Sequence, residues 1–181
     1  TMAKDLLGKK GKKVIKARKK ISKSGKPVSL NIRTDLNLNF EKEIRTLIGS
    51  NVGGMIEGSD PVLKDEYVFV TAHYDHLGKR AESIYNGADD NGSGTSTILE
   101  VAQSFAIAKA AGNGPKRSVV FIWVSGEEKG LWGSNYFAKN PTIPKDKINM
   151  MVNLDMVGRL NKDRQIAIHG VGTSPSFNST L

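Results

Sequence analysis

The sequence predicts an α/β fold in which a central, mixed but mostly parallel sheet is flanked by helices. Two apolar runs of strand length, residues 67–72 and 118–124, lack the polar and apolar alternation of a half-exposed strand. This is the pattern of central strands that helices cover on both faces. Between these runs, residues 95–111 repeat their apolar positions with the period of a helix. Strands that alternate with helices are typical of a largely parallel sheet.

The chain begins with a basic segment that differs from the remainder. Residues 1–26 hold 11 Lys and Arg and one acidic residue, whereas the rest of the chain holds 16 basic and 17 acidic side chains. The net charge of +9 therefore resides in this segment. Apolar residues seven apart predict a short helix within it: Leu7, Val14 and Ile21. We expect residues 1–27 to form a basic connector or arm and residues 28–181 to form the folded domain.

The remaining elements of the domain follow from local patterns. Three short strands are predicted where apolar residues alternate or a run precedes a turn: residues 28–32, 36–40 and 51–57. Residues 131–138 have the pattern of a short helix that ends before a proline. Residues 150–154 predict a third central strand, and residues 165–169 predict a fourth strand.

Composition limits the classes of function. The chain has 181 residues, 38% of them hydrophobic and 25% charged, as in an ordinary globular domain. It has no cysteine, which excludes disulfides and thiolate metal ligands. No apolar run approaches the roughly 18 residues of a membrane helix, so no membrane insertion is predicted. The basic arm has no aromatic residue to stack on bases, so no nucleic-acid partner is predicted.

Histidine and carboxylate side chains lie where the predicted elements begin or end. They are His73, Asp90, Glu127, Glu128 and Asp155. Ligands of open α/β sheets bind at the carboxyl ends of the strands, which is where most of these residues occur. Several carboxylates that converge there are too costly to bury unpaired and therefore predict cations among them. Imidazole and carboxylate ligands without sulfur suit zinc, cobalt or manganese, and zinc is the usual choice for hydrolysis.

The same residues lie in four segments, VTAHYDH, NGADDNGSG, WVSGEEKG and VNLDMVGR. In order and spacing, the segments resemble the dizinc exopeptidase family of aminopeptidase Y, bacterial leucyl aminopeptidase and glutamate carboxypeptidase. The resemblance extends from about Asn51 to Arg159. It implies a zinc-exopeptidase fold and metal-assisted hydrolysis of peptide bonds.

The resemblance implies a role for each candidate ligand. His73 and Asp155 match ligands of one zinc ion, and Glu128 matches a ligand of the other. Asp90 matches the aspartate that bridges both ions, and in the family the peptide bond after this aspartate is often cis.

Two further residues match catalytic positions. Asp75 matches the carboxylate that orients the imidazole of His73, and Glu127 matches the general base. The neighbouring Asp89 is expected to support the metal-binding loop rather than to bind metal.

A second metal-binding histidine is not evident in the sequence. In the family it lies far downstream of the last aspartate ligand, whereas His169 follows Asp155 by only 14 residues and falls in a predicted strand. His76 is expected to face away from His73 and to have a structural role. The second zinc site is therefore predicted to be incomplete. Residues 28–181 are expected to be the N-terminal part of a peptidase domain that is truncated at its C-terminal end and poorly active alone.

The sequence thus predicts a zinc metallopeptidase that uses two zinc ions, an aminopeptidase that removes N-terminal residues from a peptide substrate. Two alternatives stay open: a glutamate-carboxypeptidase-type exopeptidase and a non-catalytic binding protein on the same fold. The resemblance implies a secreted, periplasmic or cell-surface location for the full-length protein, although this chain shows no signal peptide. The segment LLGKKGKK resembles the connector that follows a protease-associated domain in some family members, which makes such a domain a candidate neighbour.

Overall fold

A computed structural model describes residues 2–32, 37 and 39–177. The chain divides into two compact units, residues 1–46 and residues 47–181. In the first unit, helix α1 (Met2–Leu7) leads through a single 3₁₀ turn into helix α2 (Gly11–Ser24). The helix predicted for the basic segment is therefore present. The predicted division of the domains at residue 27 stays a prediction.

The two strands predicted between residues 28 and 40 are not formed in the described part of this segment. Residues 28–32 have no regular structure, and two residues of the second predicted strand, 36 and 38, lie outside the described residues. Leu30 and Phe40 are exposed. An alternating pattern forms a strand only where a neighbouring strand pairs with its backbone and a core covers its apolar face.

Six strands occur in the described residues of the second unit: β1 (Val52–Ile56), β2 (Tyr67–His73), β3 (Gly78–Arg80), β4 (Ser83–Tyr85), β5 (Ser118–Val124) and β6 (Ile148–Asn153). Four of them form one sheet in the order β1-β5-β2-β6. β2 is parallel to both β5 and β6, whereas β1 is antiparallel to β5. The prediction of a mixed, mostly parallel sheet is confirmed. β3 and β4 form a separate hairpin that the sequence patterns did not predict.

Helices α3 (Gly94–Ala110) and α4 (Trp132–Lys139) cover opposite faces of the sheet. The ring of Phe105 on α3 packs on Phe121 of β5 with 6.1 Å between the ring centroids. On the other face, Phe137 of α4 packs on Phe69 of β2 at 5.7 Å. Because successive residues of a strand point to opposite faces, the apolar run of β5 serves both layers. Both helices agree with the predicted ones to within a residue at each end.

The strand predicted at residues 150–154 is present as β6, but its predicted central position is wrong, and the strand predicted at residues 165–169 is not formed. β6 was predicted to be a central strand, but it lies at the edge of the four-stranded sheet, and Met151 is 64% exposed. Residues 165–169 have no regular structure, and Ile166 and Ile168 are exposed. An apolar run shows that a segment favours an extended and buried state, but it does not show how many neighbouring strands will pair with that segment. Within the described residues, no helix is long and apolar enough to cross a membrane.

The parallel strands bring their carboxyl ends to one edge of the sheet. His73, the last residue of β2, pairs in register with Val124, the last residue of β5. On the other side of β2, Thr71 pairs with Asn153 at the end of β6. The loops that follow these three strands therefore start side by side, and they carry the candidate site.

Candidate metal centre

His73 lies at the bottom of the site, where its side chain is only 2% exposed. Its Nδ1 atom lies 3.0 Å from the backbone carbonyl oxygen of Asp75. Because a carbonyl oxygen only accepts hydrogen bonds, Nδ1 carries the proton and Nε2 is left with its lone pair. This Nε2 atom faces carboxylate oxygens of Asp90, at 3.1 Å, and Asp155, at 3.5 Å.

His73 Nε2 and the two carboxylates that face it are suited to bind a divalent cation. His73 Nε2 is buried without a hydrogen-bond partner among the described residues. A lone pair that faces two carboxylates is repelled by both, and an unpaired buried polar atom costs free energy. A zinc ion between them would bind the imidazole nitrogen and both carboxylates, and these are ligand types that zinc accepts. The structure therefore brings together His73, Asp90 and Asp155 as the sequence predicts.

Asp90 lies in an irregular turn, Ala88–Ser93, between the hairpin and helix α3. The peptide bond between Asp90 and Asn91 is cis, as the family resemblance implies. One carboxylate oxygen of Asp90 approaches His73, and the other lies 3.8 Å from Nδ1 of His76. Asp90 thus belongs to two groups of potential metal ligands.

Asn91 fixes the position of this turn, a role that the sequence patterns did not reveal. Its side chain is 2% exposed and donates a hydrogen bond of 2.8 Å to the carbonyl oxygen of Leu154. Its Oδ1 atom accepts hydrogen bonds from the backbone amides of Gly94 and Met156. Asn91 therefore joins the Asp90 turn to the segment that carries Asp155. The only sign of this in the sequence is an amide side chain directly after the candidate aspartate ligand.

Gly94 allows the helix to begin close to the same segment. A Cβ atom on Gly94 would lie 2.4 Å from the carbonyl oxygen of Leu154 and 2.4 Å from Oδ1 of Asn91. Both distances are far below van der Waals contact, so only glycine fits there. The close approach places the start of α3 against the segment that carries Asp155.

Asp89 supports the loop, as predicted. Its carboxylate accepts hydrogen bonds from Nε of Arg159 at 2.8 Å and from the backbone amide of Gly158 at 3.0 Å. The hydrogen bond from Arg159 holds the pKa of Asp89 below its usual value, and the Gly158 amide acts in the same direction. Asp89 faces this basic partner and belongs to neither group of potential metal ligands found in the described residues.

Asp75 differs in detail from its predicted role. The ring of His73 is held by the backbone carbonyl of Asp75, and the nearest carboxylate oxygen of Asp75 lies 3.8 Å from His73 Nδ1. The carboxylate instead accepts hydrogen bonds from the backbone amides of Glu127, at 3.0 Å, and Glu128, at 3.3 Å. Asp75 therefore couples the histidine segment to the glutamate segment.

Glu127 and Glu128 lie in a single 3₁₀ turn, Glu127–Lys129, which two residues separate from the end of β5. Burial raises the pKa of the Glu127 carboxyl above its usual value, and the nearby carboxylates of Asp155, Glu128 and Asp75 raise it further. A carboxyl group with a raised pKa binds a proton more readily, which suits a general base.

His76 is the functional candidate that the sequence placed wrongly. The expectation that it faces away from the site assumed that the chain stays extended, but β2 ends at His73 and the alternation ends with it. Nδ1 of His76 lies 2.7 Å from Oε1 of Glu128 and 3.8 Å from Asp90. His76, Asp90 and Glu128 thus form a second group of potential metal ligands. His169 is exposed and belongs to neither group.

A cavity of about 460 Å³ opens beside the first group. Glu127, His73 and Asp155 line one side of it. Apolar side chains form most of the remaining wall: Phe69, Ile122, Val124, Leu131, Phe137, Ile148 and Met151. No lysine or arginine is among the residues that line it in the described chain.

Sequence comparison agrees with this chemistry. The family model described as Peptidase family M28 matches residues 51–181. Among curated proteins, a probable leucine aminopeptidase of Trichophyton verrucosum is 37% identical over 100 residues, which cover 54% of this chain and 28% of that protein.

Two other relatives carry different names. Leupeptin-inactivating enzyme 1 of Streptomyces exfoliatus is 40% identical over 87 residues, covering 46% of this chain and 19% of that protein. A probable zinc metalloprotease of Pyrenophora tritici-repentis is 36% identical over 121 residues, covering 64% of this chain and 23% of that protein. The matched part of this chain therefore spans less than a third of the length of each of these relatives.

Proposed function

Because the chain belongs to peptidase family M28, we propose that the intact protein is a zinc-dependent aminopeptidase. The names of its relatives, a leucine aminopeptidase and a zinc metalloprotease among them, support this proposal. The observation that carries it is the arrangement around Asp90. Two groups of potential ligands share this residue, and Glu127 lies beside them with a raised pKa.

The residues divide into binding and proton-transfer roles. His73, Asp90 and Asp155 would hold one zinc ion, and Glu128 would hold a second ion with Asp90. When bound there, zinc supplies a Lewis acid that polarises the scissile carbonyl and lowers the pKa of water. Glu127 takes the proton from the attacking water and returns it to the amine that leaves.

The backbone amides of Glu127 and Glu128 are fixed by the Asp75 carboxylate, and this positions the proton-transfer group. An orientation that is set before the substrate arrives need not be established during the reaction, which lowers the barrier. Asp75 is therefore a positioning residue in this proposal. Asp75 orients the ring of His73 through its backbone carbonyl oxygen and not through its carboxylate.

The cavity favours an apolar residue at the cleaved end of the substrate. Its wall is largely apolar, and in the described chain it offers no cation to pair with an acidic side chain. Together with the leucine aminopeptidase among the relatives, this supports an aminopeptidase of leucine type as the first candidate, and the glutamate-carboxypeptidase alternative stays open. The non-catalytic alternative is not favoured, because the ligand groups and the candidate base are all present.

The test is turnover by the intact protein loaded with zinc. We expect hydrolysis of leucyl p-nitroanilide, with much slower hydrolysis of glutamyl p-nitroanilide and of a peptide that ends in glutamate. Chelation with EDTA should abolish turnover, and added zinc should restore it. Turnover that persists in EDTA, or cleavage of the glutamate-ending peptide alone, would contradict the proposal.

A further inference from the structure

One asparagine side chain joins the two ends of the loop that carries Glu127 and Glu128. This glutamate loop, residues 125–133, begins directly after β5 and ends in the first turn of α4. Oδ1 of Asn51 accepts a 3.1 Å hydrogen bond from the backbone amide of Ser125, and Nδ2 of Asn51 donates a 2.8 Å hydrogen bond to the carbonyl oxygen of Gly133. Both polar atoms of the carboxamide are therefore used, one at each end of the loop.

The two ends of the glutamate loop also contact each other. The backbone amide of Gly133 donates a 2.7 Å hydrogen bond to the carbonyl oxygen of Ser125. A Cβ atom on Gly133 would collide with that carbonyl oxygen and with Oδ1 of Asn51, so only glycine allows this approach. Asn51, Ser125 and Gly133 therefore form one hydrogen-bonded cluster that closes the loop.

The backbone between the closed ends is irregular. Gly126, Gly130 and Leu131 have positive φ values of 68°, 109° and 60°. For Leu131, which has a side chain, this conformation is unfavourable and persists only where the surrounding structure imposes it. The amide of Leu131 donates a 2.9 Å hydrogen bond to the carbonyl oxygen of Glu127, so the strained residue contacts the candidate base directly. The position of Glu127 therefore depends on how the ends of the loop are held.

Asn51 is itself anchored to the segment that carries a candidate metal ligand. The carbonyl oxygen of the preceding residue, Ser50, accepts a 2.7 Å hydrogen bond from the hydroxyl group of Tyr74. Tyr74 directly follows His73, and its backbone amide donates a 3.1 Å hydrogen bond to the carbonyl oxygen of Val124. Hydrogen bonds thus connect the histidine segment, Asn51 and the glutamate loop.

We infer that Asn51 is a positioning residue for the proposed reaction: it joins the ends of the glutamate loop and so holds Glu127 beside the candidate metal ligands. The carboxylate of Asp75 holds the middle of the same loop, at the backbone amides of Glu127 and Glu128. Asn51 is not among the described residues that line the cavity beside His73, so it acts through the loop and not on the substrate. The inference rests on the proposed function for the role of Glu127 as the base.

Amide hydrogen exchange tests the closure of the loop without any need for activity. NMR follows the amides of Trp132 and Gly133, which are hydrogen-bonded within the loop of the 181-residue chain. In Asn51→Ala we expect them to exchange about 10-fold faster than in the wild type, because two hydrogen bonds are lost, while the amides of β2 keep their rates. Asn149→Ala is the matched control, because it also loses an asparagine hydrogen bond, a 2.7 Å contact with Glu66 near the start of β2.

Two results of the exchange experiment would overturn the inference. The first is exchange of these amides in the wild type as fast as in an unstructured peptide, and this result does not depend on whether a variant folds. The second is faster exchange throughout the chain in both Asn51→Ala and Asn51→Asp, because it would show general destabilisation. Asn51→Asp has nearly the same size and keeps the acceptor for Ser125, but it places an oxygen atom against the carbonyl of Gly133. It should therefore loosen the same loop amides.

Kinetics of the intact, zinc-loaded protein separate positioning from general support of the fold. Asn51→Ala should lower kcat for leucyl p-nitroanilide about 10–100-fold, with a much smaller change in KM. Each variant is measured at a saturating zinc concentration, so that weaker binding through Glu128 does not account for the loss. Asn149→Ala should keep the wild-type kcat. A rise in KM with an unchanged kcat in Asn51→Ala would overturn the inference.

The outcomes separate this inference from the proposed function. If the wild type hydrolyses leucyl p-nitroanilide and Asn51→Ala matches Asn149→Ala in exchange and in kcat, only the role of Asn51 is refuted. If the wild type hydrolyses no aminoacyl anilide, the proposed function fails, and the role of Asn51 in catalysis fails with it whatever the exchange rates of the loop.

Discussion

Glu127 and Glu128 are neighbours in sequence but have different surroundings. Glu128 faces His76 and Asp90 and belongs to a group of potential ligands, whereas Glu127 belongs to none and lines the cavity beside His73. The 3₁₀ turn separates the two side chains, because successive residues of such a turn point in directions about 120° apart. The two carboxylates can therefore take separate roles, one as a ligand and one as a base.

Glu127→Gln tests that division. Glutamine keeps the shape of glutamate but cannot take a proton, so kcat for leucyl p-nitroanilide should fall about 10²–10⁴-fold. Zinc content, measured by atomic absorption, should stay as in the wild type because Glu127 is not a proposed ligand. Glu128→Gln is the matched comparison and should lower zinc content as well as kcat. If Glu127→Gln lost zinc to the same extent, Glu127 would be a ligand and its assignment as the base would be wrong.

The turn before helix α3 is joined to the segment after β6 by several hydrogen bonds. Asn91 and Asp89 both reach across to the segment after β6, through Leu154 and Met156 in one case and through Gly158 and Arg159 in the other. These contacts join residues more than 60 positions apart in the sequence. The carboxylates of Asp90 and Asp155 are therefore placed by hydrogen bonds that involve neither carboxylate.

Gly94→Ala tests the close approach of α3 to this segment. The added methyl group would meet the carbonyl oxygen of Leu154 at 2.4 Å, so the helix or the segment must shift. We expect the free energy of unfolding to fall by about 1–3 kcal/mol, as measured by urea denaturation, and zinc affinity to fall with it. Gly54→Ala in β1 is the control, because its Cβ would have open space around it. That variant should stay within about 1 kcal/mol of the wild type. Equal losses in both variants would refute the argument from close approach.

At the scale of the whole molecule, the second unit contains every candidate site residue. The ligand groups lie on loops after β2, β5 and β6 and on the turn before α3, so zinc would join segments that are distant in the sequence. A ligand that binds only the folded state stabilises it by mass action, by about 2.7 kcal/mol at a free concentration of 100 times Kd. Zinc should therefore stabilise this unit as a whole.

Metal removal tests this coupling. The chain treated with EDTA should have a lower melting temperature by calorimetry than the chain with excess zinc, and zinc should restore the higher value. Mg²⁺ at the same concentration is the control, and it should have little effect because it prefers octahedral oxygen sites and gives up its water reluctantly. A melting temperature that is the same with zinc and with EDTA would show that the ligand groups do not bind zinc in the folded chain.

The fold was largely predictable because the apolar patterns of its central strands and of helix α3 lie within single segments of the sequence. The apolar runs of β2 and β5 and the helical period of α3 reflect burial between layers, and the structure confirms all three elements. The segment at residues 165–169 has a similar apolar pattern but no strand to pair with in the described residues. Pairing joins residues far apart in sequence, so a pattern within one segment does not reveal it.

The sequence by itself determined which residue types could bind a metal and that strand ends would bring several of them together. His73, Asp90, Glu128 and Asp155 all converge as predicted, since parallel strands place their carboxyl ends at one edge. Only the tertiary structure decided where His76 points. Its direction depends on where β2 ends and on the close packing of Gly87, and neither follows from the spacing of residues along the chain. The candidate base and most of the candidate ligands were thus identified from four sequence segments and their family resemblance, whereas the position of His76 beside Glu128 became evident only from contacts between loops.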